Sequence, residues 1–551
     1  MKALLPPRST PTRDAALERL AAREWDLLVI GGGITGVAVA RDAALRGLQV
    51  ALIEQGDFAF GTSSRSSRLI HGGLRYLAGF DFGLVREGLV ERRRLLETAP
   101  GLVRPVRFLY PVYRGDPDSL WKVNLGVLLY ETLAFGYGLG GRRWLGRRGL
   151  TQSVPGLRRD NLRGGVSYFD AATHDTRLTL AVAASAEHAG ALLVSRCRAE
   201  RLVESDGQIT GAESTDLLGR RTLQVRARST VLCCGPWQTL YPAASVSMRT
   251  ARGSHISLPS RRVPLDCFIT LRSPRDGRLA FAMPVGEHVV LGTTDEDDAV
   301  APAEVRPTPA DTDYLLELAN HAFPSADVGR ADVSGAWAGL RPLLADGSHL
   351  DADDISRRHR IISGPPGLWI LAGGKLTTHR RMAEDLVDTI APHLADAGVA
   401  IGPCLTKTKK LLPGSVVLGR KRLNEKEVAT ATVDGLAALY GGRLEVLATR
   451  LSNASGEVDS ESLLRAQVEL AIDDEWTLSL DDLLLRRIGP GALDLKSCIA
   501  QAEPAARLMA ARLGWSKEDT RREIDEFHAG ARRDLAAAGI DPSATTQRVG
   551  S

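Results

Sequence analysis

Three glycines and one glutamate near the start of the chain have the types and spacing that bind a dinucleotide. Gly31, Gly33 and Gly36 form a G-x-G-x-x-G pattern, and Glu54 follows about twenty residues later. Such a turn presents backbone N–H groups to a pyrophosphate, because no Cβ obstructs its approach. A carboxylate at the position of Glu54 accepts hydrogen bonds from ribose hydroxyls and disfavours a 2′-phosphate. FAD or NAD is therefore favoured over NADP.

The residues around these groups predict the β-α-β unit that positions them. Trp25–Ile30 is a short apolar run that favours a strand, and Val50–Ile53 is a second run that ends at Glu54. Between the two runs, apolar residues recur at helical spacing from Ile34 to Leu48. Strand, glycine turn, helix and terminal acid are all present, although this unit alone does not separate FAD from NAD.

A segment rich in glycine and hydroxyl groups follows the second strand. Residues 61–76 read Gly-Thr-Ser-Ser-Arg-Ser-Ser-Arg-Leu-Ile-His-Gly-Gly-Leu-Arg-Tyr. They lie just beyond the carboxyl end of that strand, where open α/β sheets bind their ligands. Their hydroxyl and N–H groups suit a phosphate or a flavin edge. We predict cofactor contacts from Thr62, Ser63, Ser64, Gly72 and Gly73.

Two later strands end in glycine turns that can point at the same ligand. One apolar run, from Val231, ends at Gly235, and another, Leu368–Leu371, ends at the turn 373–378. The helix predicted after the second turn has apolar residues at i+4 spacing, so it can pack against the cofactor sheet. We predict cofactor contacts from Gly235, Gly373, Gly374, Lys375, Leu376 and Thr377.

The chain of 551 residues is too long for one hydrophobic core, so several domains are expected. Strand patterns between residues 245 and 340 interrupt the cofactor-binding patterns, and helical patterns dominate after about residue 400. We predict an N-terminal extension (1–24), an oxidoreductase domain (25–399), a helical domain (400–541) and a tail (542–551). Within the oxidoreductase domain, the cofactor-binding parts are about 25–100, 180–240 and 335–399, and the substrate-binding parts are about 101–179 and 241–334.

Composition excludes several other classes of protein. The net charge of +4 is small and the basic residues are spread along the chain, so nucleic acid is not an expected partner. The six cysteines have no C-x-x-C spacing, which disfavours a zinc site or a disulfide framework. Prolines interrupt the position of a signal-peptide core, and no run of about 18 apolar residues occurs. We expect a reduced, cytoplasmic setting.

One apolar segment lies beside a basic cluster. Residues 121–140 are the most apolar of the chain, and Arg142, Arg143, Arg147 and Arg148 follow at once. This arrangement favours docking on an anionic membrane face. The alternative is a buried helix followed by a solvated basic loop.

Longer motifs identify a resemblance. The chain resembles the FAD-dependent, aerobic respiratory glycerol-3-phosphate dehydrogenases over nearly its full length. Cys233, Trp337 and His379 depart from the residues that this family usually has at these positions. The motifs are the segment 61–76, Cys234-Gly-Pro-Trp, Arg252-Gly-Ser-His-Ile, Gly292-Thr-Thr-Asp, Gly339-Leu-Arg-Pro-Leu and Gly373-Gly-Lys-Leu-Thr-Thr, in the family's order.

The resemblance implies a fold and a reaction. The fold would be α/β with an α+β substrate domain. Its Rossmann-like FAD domain, of the glutathione-reductase and D-amino-acid-oxidase type, is interleaved with the β-rich substrate domain and followed by an all-α domain. The reaction would oxidise sn-glycerol 3-phosphate to dihydroxyacetone phosphate by hydride transfer to flavin N5. Electrons would pass to a quinone at the inner face of the cytoplasmic membrane, where the enzyme is peripheral. The sequence sets no oligomeric state, and a homodimer stays an open expectation.

The resemblance also assigns roles to site residues. A dianionic substrate phosphate requires fixed cations, and guanidinium groups bind phosphate through paired charge-assisted hydrogen bonds. Arg278 and Arg341 are assigned mainly to this task, with Arg75, Tyr76 and His255 as further substrate contacts. The catalytic candidates are His71, Arg278 and Lys375, and the identity of the base stays open between His71, His255 and Lys375.

Three rival functions stay open. A glycerol-3-phosphate oxidase would share the motifs and use oxygen as acceptor. An FAD-dependent amine or amino-acid oxidase of the same fold could use the two arginines for a carboxylate. A non-enzymatic protein could use the helical domain to bind a partner or nucleic acid, and such a protein would be colourless when purified.

Overall fold

The computed structural model describes residues 13–77, 79–237, 248–298, 300–344, 358–412, 414–452 and 458–542. The predicted tail (beyond residue 542) and most of the predicted extension (residues 1–12) lie outside the described residues. The rest of that extension belongs to the fold, because Leu17 and Leu20 are buried and Leu20 accepts a hydrogen bond from the indole of Trp25 at 3.1 Å.

The described residues form two sheets. The strands are β1 (Glu24–Ile30), β2 (Val50–Ile53), β3 (Leu69–Ile70), β4 (Val103–Tyr113), β5 (Arg143–Gly146), β6 (Leu162–Thr173), β7 (Leu192–Val194), β8 (Cys197–Ser205), β9 (Gln208–Asp216), β10 (Arg221–Leu232), β11 (Met248–Pro259), β12 (Phe268–Arg272), β13 (Leu279–Val285), β14 (His288–Gly292), β15 (Glu296–Asp297), β16 (Gly335–Leu344), β17 (Arg360–Ser363) and β18 (Leu368–Ala372).

The helices cover the sheets and build the last third of the chain. They are α1 (Arg13–Ala22), α2 (Ile34–Leu45), α3 (Phe82–Thr98), α4 (Leu120–Leu133), α5 (Arg147–Ser153), α6 (Asp175–His188), α7 (Pro309–Ala322), α8 (His379–Asp396), α9 (Val416–Glu425), α10 (Thr430–Tyr440), α11 (Leu444–Ser452), α12 (Ser460–Asp474), α13 (Leu495–Leu513) and α14 (Lys517–Ala537).

The first sheet has the order β17-β18-β10-β1-β2-β7, and β8 and β9 extend it beside β10. Pairing is parallel from β18 to β7, so the carboxyl ends of these strands meet at one edge. Apolar residues of α2, α6 and α8 form one core against this sheet. In α8, Met382, Leu386, Ile390 and Leu394 are all buried, as their spacing predicts.

The second sheet has the order β15-β11-β14-β13-β12-β4-β6-β3, with β16 beside β11 and β5 beside β6. It contains the predicted substrate-binding parts. Two strands of the predicted cofactor-binding parts also belong to it: β16, in the part that begins at about residue 335, and β3, in the part 25–100. Both strands pair in the second sheet, because β16 follows β11 over ten residue pairs and β3 pairs with β6.

From α9 onwards the described residues contain helices and no strand, as predicted. Two hydrophobic clusters hold this domain together, one around α9–α12 and one around α12–α14. A capping box at Ser516 and Asp519 begins α14. Among the residues described, no helix combines the length and the hydrophobicity needed to cross a bilayer.

Candidate active site

A cleft of about 420 Å³ lies at the carboxyl ends of β1, β2, β10 and β18. The fold brings four segments to this edge: the first glycine turn, the loop after β2, the turn after β10 and the turn after β18. Its lining includes Gly31, Gly33, Glu54, Thr62, Ser63, Cys197, Arg198, Glu200, Cys233, Cys234, Gly235, Trp237, Gly373, Gly374, Lys375 and Leu376.

The first glycine turn is built for close approach. Gly31 has φ +113°, and a Cβ on it would lie 2.6 Å from the carbonyl oxygen of Cys233. A Cβ on Gly36 would lie 1.9 Å from the carbonyl oxygen of Gly31, so only glycine lets α2 pack against β1 here. Gly33 lines the cleft at the N-terminus of α2. These residues therefore fit a pyrophosphate held by backbone N–H groups.

Glu54 stands at the end of β2 on the cleft wall. Its two carboxylate oxygens accept hydrogen bonds from the N–H groups of Gly32 and Gly56, both at 2.6 Å. Burial raises the pKa of Glu54, and these two hydrogen bonds act against that rise. Each oxygen has a second lone pair, so the carboxylate can also accept from a ribose hydroxyl.

Of the three hydroxyl residues predicted to contact the cofactor, two line the cleft and one bonds the backbone of its own loop. Ser63 lies in the cleft wall and accepts a hydrogen bond from the N–H of Ile34 at 2.9 Å. Thr62 lines the cleft and donates to the carbonyl of Leu340 at 2.7 Å. The hydroxyl of Ser64 instead lies within reach of the carbonyls of residues 60 and 61. Ser64 therefore stabilises the loop.

Two contacts join this loop to the turn after β18. The N–H of His71 donates to the hydroxyl of Thr377 at 3.1 Å. Lys375 Nζ lies 3.9 Å from the ring centroid of Tyr76, which packs close to Gly73. Gly72 and Gly73, both predicted as cofactor contacts, are buried and do not belong to the lining of the cleft. The side chain of Arg75 lies outside the described part of the structure.

His255 is a buried neighbour of the same loop. Its Nε2 is 2.9 Å from the hydroxyl of Ser67, and its ring stacks on Trp337 at a centroid distance of 5.2 Å. Burial, with smaller contributions from Arg341 and Arg68, lowers the pKa of His255 to about 3. The imidazole is therefore neutral near pH 7 and has little affinity for a proton, which makes it a weak general base.

The two predicted phosphate-binding arginines converge on Asp295 but differ in exposure. Arg341 donates to a carboxylate oxygen of Asp295 at 2.7 Å and to the hydroxyl of Thr293 at 2.9 Å. Arg278 donates to the backbone carbonyl of Asp295 at 2.6 Å. The side chain of Arg341 is 20% exposed and follows Leu340 beside the cleft, whereas that of Arg278 is 43% exposed. Arg341 is thus better placed than Arg278 to bind a substrate phosphate.

Several residues of the site have no obvious signal in the sequence. Cys233 and Cys234 resemble core residues, yet both line the cleft beside the glycine turn. Residues 197–200 form another wall without any motif. Arg68 is buried over the ring of Trp337, and its Nη1 has no hydrogen-bond partner among the described residues. A buried guanidinium suits an anion, but only the fold reveals that Arg68 is buried.

Two family models match the chain. One is described as FAD dependent oxidoreductase and matches residues 26–389. The other is described as the C-terminal domain of alpha-glycerophosphate oxidase and matches residues 373–520. Fold and cleft together define an FAD-dependent oxidoreductase, so the choice between FAD and NAD that the β-α-β unit left open is settled for FAD.

Proteins of similar sequence and structure show which kind of FAD-dependent oxidoreductase this is. A glycerol-3-phosphate dehydrogenase of Mycobacterium leprae is 34% identical over 534 residues, which are 94% of this chain and 90% of the relative. An aerobic glycerol-3-phosphate dehydrogenase of Staphylococcus aureus is 33% identical over 92% of this chain and 94% of its own length. The crystal structure of the glycerol-3-phosphate dehydrogenase of Bacillus halodurans, complexed with FAD, superposes with a TM-score of 0.78 at 28% identity. It covers 94% of this chain and 97% of that one. The chain belongs to the glycerol-3-phosphate dehydrogenase family, and the predicted fold class and enzyme class are confirmed.

Proposed function

We propose that the chain oxidises sn-glycerol 3-phosphate to dihydroxyacetone phosphate and passes the electrons to a membrane quinone. The observation that carries the proposal is the cationic flank of the FAD cleft. Lys375 lines the cleft, and Arg341 directly precedes Pro342, which also lines it. A phosphate dianion needs such fixed cations, whereas the neutral hydroxyl groups of glycerol do not.

The residues of the site have separate roles in the reaction. Bound FAD supplies the hydride acceptor. Arg341 binds the substrate phosphate, and Lys375 stabilises negative charge that develops at the oxidised carbon's oxygen. His71 is the better candidate for the base, because His255 holds a proton too weakly near neutral pH. Arg278 supports Arg341 through their shared partner Asp295.

The choice of acceptor rests on an exposed apolar surface. We define the α4 patch as Trp121, Leu125, Leu128, Leu129, Phe135 and Trp144, all of them exposed. Trp121 is 65% and Phe135 is 84% exposed, while α4 buries only Val123, Val127 and Tyr130. α4 is therefore buried on one face and exposed on the other. Large exposed apolar patches mark interaction sites, and membranes are one such partner.

Two contacts support our proposal that a membrane binds the α4 patch. Arg142 donates to the side chain of Asn124 at 2.7 Å, which holds the basic segment beside α4. Basic groups around an apolar surface match an anionic bilayer. On its buried side, the hydroxyl of Tyr130 accepts a hydrogen bond from the N–H of Gly72 at 2.7 Å. A docked α4 would therefore lie next to the active-site loop and near membrane quinone. The homodimer stays a prediction.

The identity of the electron acceptor is directly testable. We expect the FAD-loaded protein to reduce a short-chain ubiquinone analogue with sn-glycerol 3-phosphate, and to form little hydrogen peroxide when air is the only oxidant. Coupled assays for quinone reduction and for peroxide measure both rates on one preparation. Stoichiometric peroxide without quinone reduction would identify an oxidase instead.

Membrane docking should depend on charge. Arg143, Arg147 and Arg148 are exposed beside the α4 patch. Each basic residue near an anionic surface contributes about 1 kcal/mol, so replacing all three by Gln should lower partitioning to phosphatidylglycerol vesicles by roughly 100-fold at low salt. Sedimentation with vesicles measures this partitioning, and added salt should weaken binding of the unchanged protein.

The control for this experiment removes the same charge elsewhere. Arg521, Arg532 and Arg533 are exposed on α14, and their replacement by Gln should leave vesicle binding unchanged. Replacing Trp121 by Ser should weaken binding to anionic vesicles at all salt concentrations. If the two triple variants bound vesicles equally, the basic segment would not be the docking site.

A further inference from the structure

The helical domain contacts the cofactor site through a largely buried segment, residues 476–487, which we call the clamp segment. Asp57 lies three residues after Glu54, and both Asp57 and Arg487 are fully buried. Arg487 Nη2 donates to Asp57 at 2.6 Å, and Arg486 Nε donates to the same carboxylate at 2.5 Å. Two guanidinium groups of the clamp segment therefore bind the loop that carries Glu54.

The clamp segment also binds the neighbouring wall of the cleft. Asp482 accepts a hydrogen bond from Arg196 at 2.8 Å and another from Arg486 at 2.7 Å. Arg196 immediately precedes the wall formed by residues 197–200. Burial alone would raise the pKa of Asp482, but Arg486, Arg196 and Arg487 together lower it well below its usual value. Asp482 is therefore ionised near neutral pH, and both of its bonds are charge-assisted.

Side-chain packing also joins the clamp segment to the first glycine turn. The ring of Trp476 meets Phe58 edge to face at a centroid distance of 4.9 Å. Phe58 lies so close to Gly32 that a Cβ on Gly32 would be 2.6 Å from the phenyl ring. The N–H of Ala59 donates to the carbonyl of Gly32 at 3.1 Å. The loop between Glu54 and Ala59 is thus held between the clamp segment and the turn that receives the pyrophosphate.

We propose that the clamp segment is a positioning element for the adenosine half of FAD. Glu54 and residues 197–200 form two neighbouring walls of the cleft, and each wall is joined to the clamp segment by ion pairs, fully buried at Asp57 and partly buried at Arg196. The backbone N–H of Cys197 also donates to the carbonyl of Glu54 at 2.8 Å, so the two walls are bound to each other directly. A buried carboxylate without its partner is strongly unfavourable, so docking of the helical domain stabilises this pair of walls further. Binding of FAD and docking of the clamp segment therefore favour each other, as thermodynamic linkage requires.

The test replaces Asp57 by Asn and measures binding of ADP and of FAD to apoprotein by calorimetry. ADP probes the adenosine half alone. We expect the dissociation constants of both to rise by about tenfold or more, within the 5- to 150-fold range of coupled sites. KM for glycerol 3-phosphate in the FAD-saturated variant should stay within about twofold of its original value, because the substrate end is untouched.

The matched control is Asp494→Asn. Asp494 joins the same helical domain to the second sheet through His288, 3.6 Å away, and Asn still caps α13. This variant should lose stability without a change in affinity for ADP. Equal weakening of ADP binding in both variants, or no weakening in Asp57→Asn, would overturn the proposal.

Hydrogen exchange on the unchanged protein covers the case in which Asp57→Asn does not fold. Adding ADP to apoprotein should slow amide exchange in the clamp segment. It should not slow exchange in the C-terminal half of α14. Linkage demands this protection if the clamp segment positions the adenosine walls. Exchange in the clamp segment that does not respond to saturating ADP would contradict the proposal.

Discussion

Gly33→Asp is expected to give a folded but colourless protein. Gly33 has φ −74° and ψ 176°, which any residue adopts, and a Cβ there would lie 3.3 Å from Ser63 Oγ, a small side chain that can shift. The new carboxylate would enter the space of the pyrophosphate. Two like charges about 4 Å apart repel by about 4 kcal/mol near a protein surface, so the dissociation constant of FAD should rise by roughly 1000-fold.

Gly33→Asn is the matched control, since it has nearly the same shape without the charge. It should weaken FAD binding much less than the aspartate does. Flavin absorbance per protein, with circular dichroism to verify folding, distinguishes the two. If Gly33→Asp retained a full complement of flavin, the glycine turn would not hold the pyrophosphate.

Arg341→Met should have the largest effect on the substrate. Methionine keeps most of the aliphatic volume but removes the guanidinium. Losing two hydrogen bonds to a charged phosphate costs about 3 kcal/mol, so kcat/KM for glycerol 3-phosphate should fall by roughly 100-fold. The rate with glycerol, which has no phosphate, should change little. Steady-state kinetics on both substrates measure the difference.

Arg278→Met provides the comparison for Arg341. The sequence alone assigns the two arginines the same role, but Arg278 is more exposed and bonds Asp295 through its backbone carbonyl rather than its carboxylate. Its loss should lower kcat/KM for glycerol 3-phosphate by about tenfold or less, the effect of about one hydrogen bond. A larger effect from Arg278 than from Arg341 would reverse this assignment of the phosphate site.

The local parts of the site could be predicted because short stretches of chain determine them. The turn from Gly31 to Gly36 needs close approach of backbone atoms, and only glycine permits it, so the pattern is readable in the sequence. The turns at Gly235 and Gly373 have positive φ, which glycine adopts more readily than other residues. The order of the strands then brings these turns to one edge of the first sheet.

The remaining parts depend on contacts between distant residues. Asp57 and Arg487 are 430 positions apart, and no local pattern distinguishes this pair from surface charges. β16 carries Arg341 into the second sheet because it pairs with β11, a choice that alternating hydrophobicity does not specify. The exposure of α4 was also undecidable, since apolar residues lie on both its buried and its exposed faces.

The central claim is that glycerol 3-phosphate delivers its electrons to the FAD held in this cleft. Anaerobic stopped-flow mixing of the FAD-loaded protein with sn-glycerol 3-phosphate tests it most directly. The oxidised-flavin absorbance should bleach in one fast phase whose rate saturates with substrate, and neither glycine nor an equal concentration of glycerol should match it. Absence of bleaching by glycerol 3-phosphate in protein that contains FAD, or equally fast bleaching by an amino acid, would contradict the account.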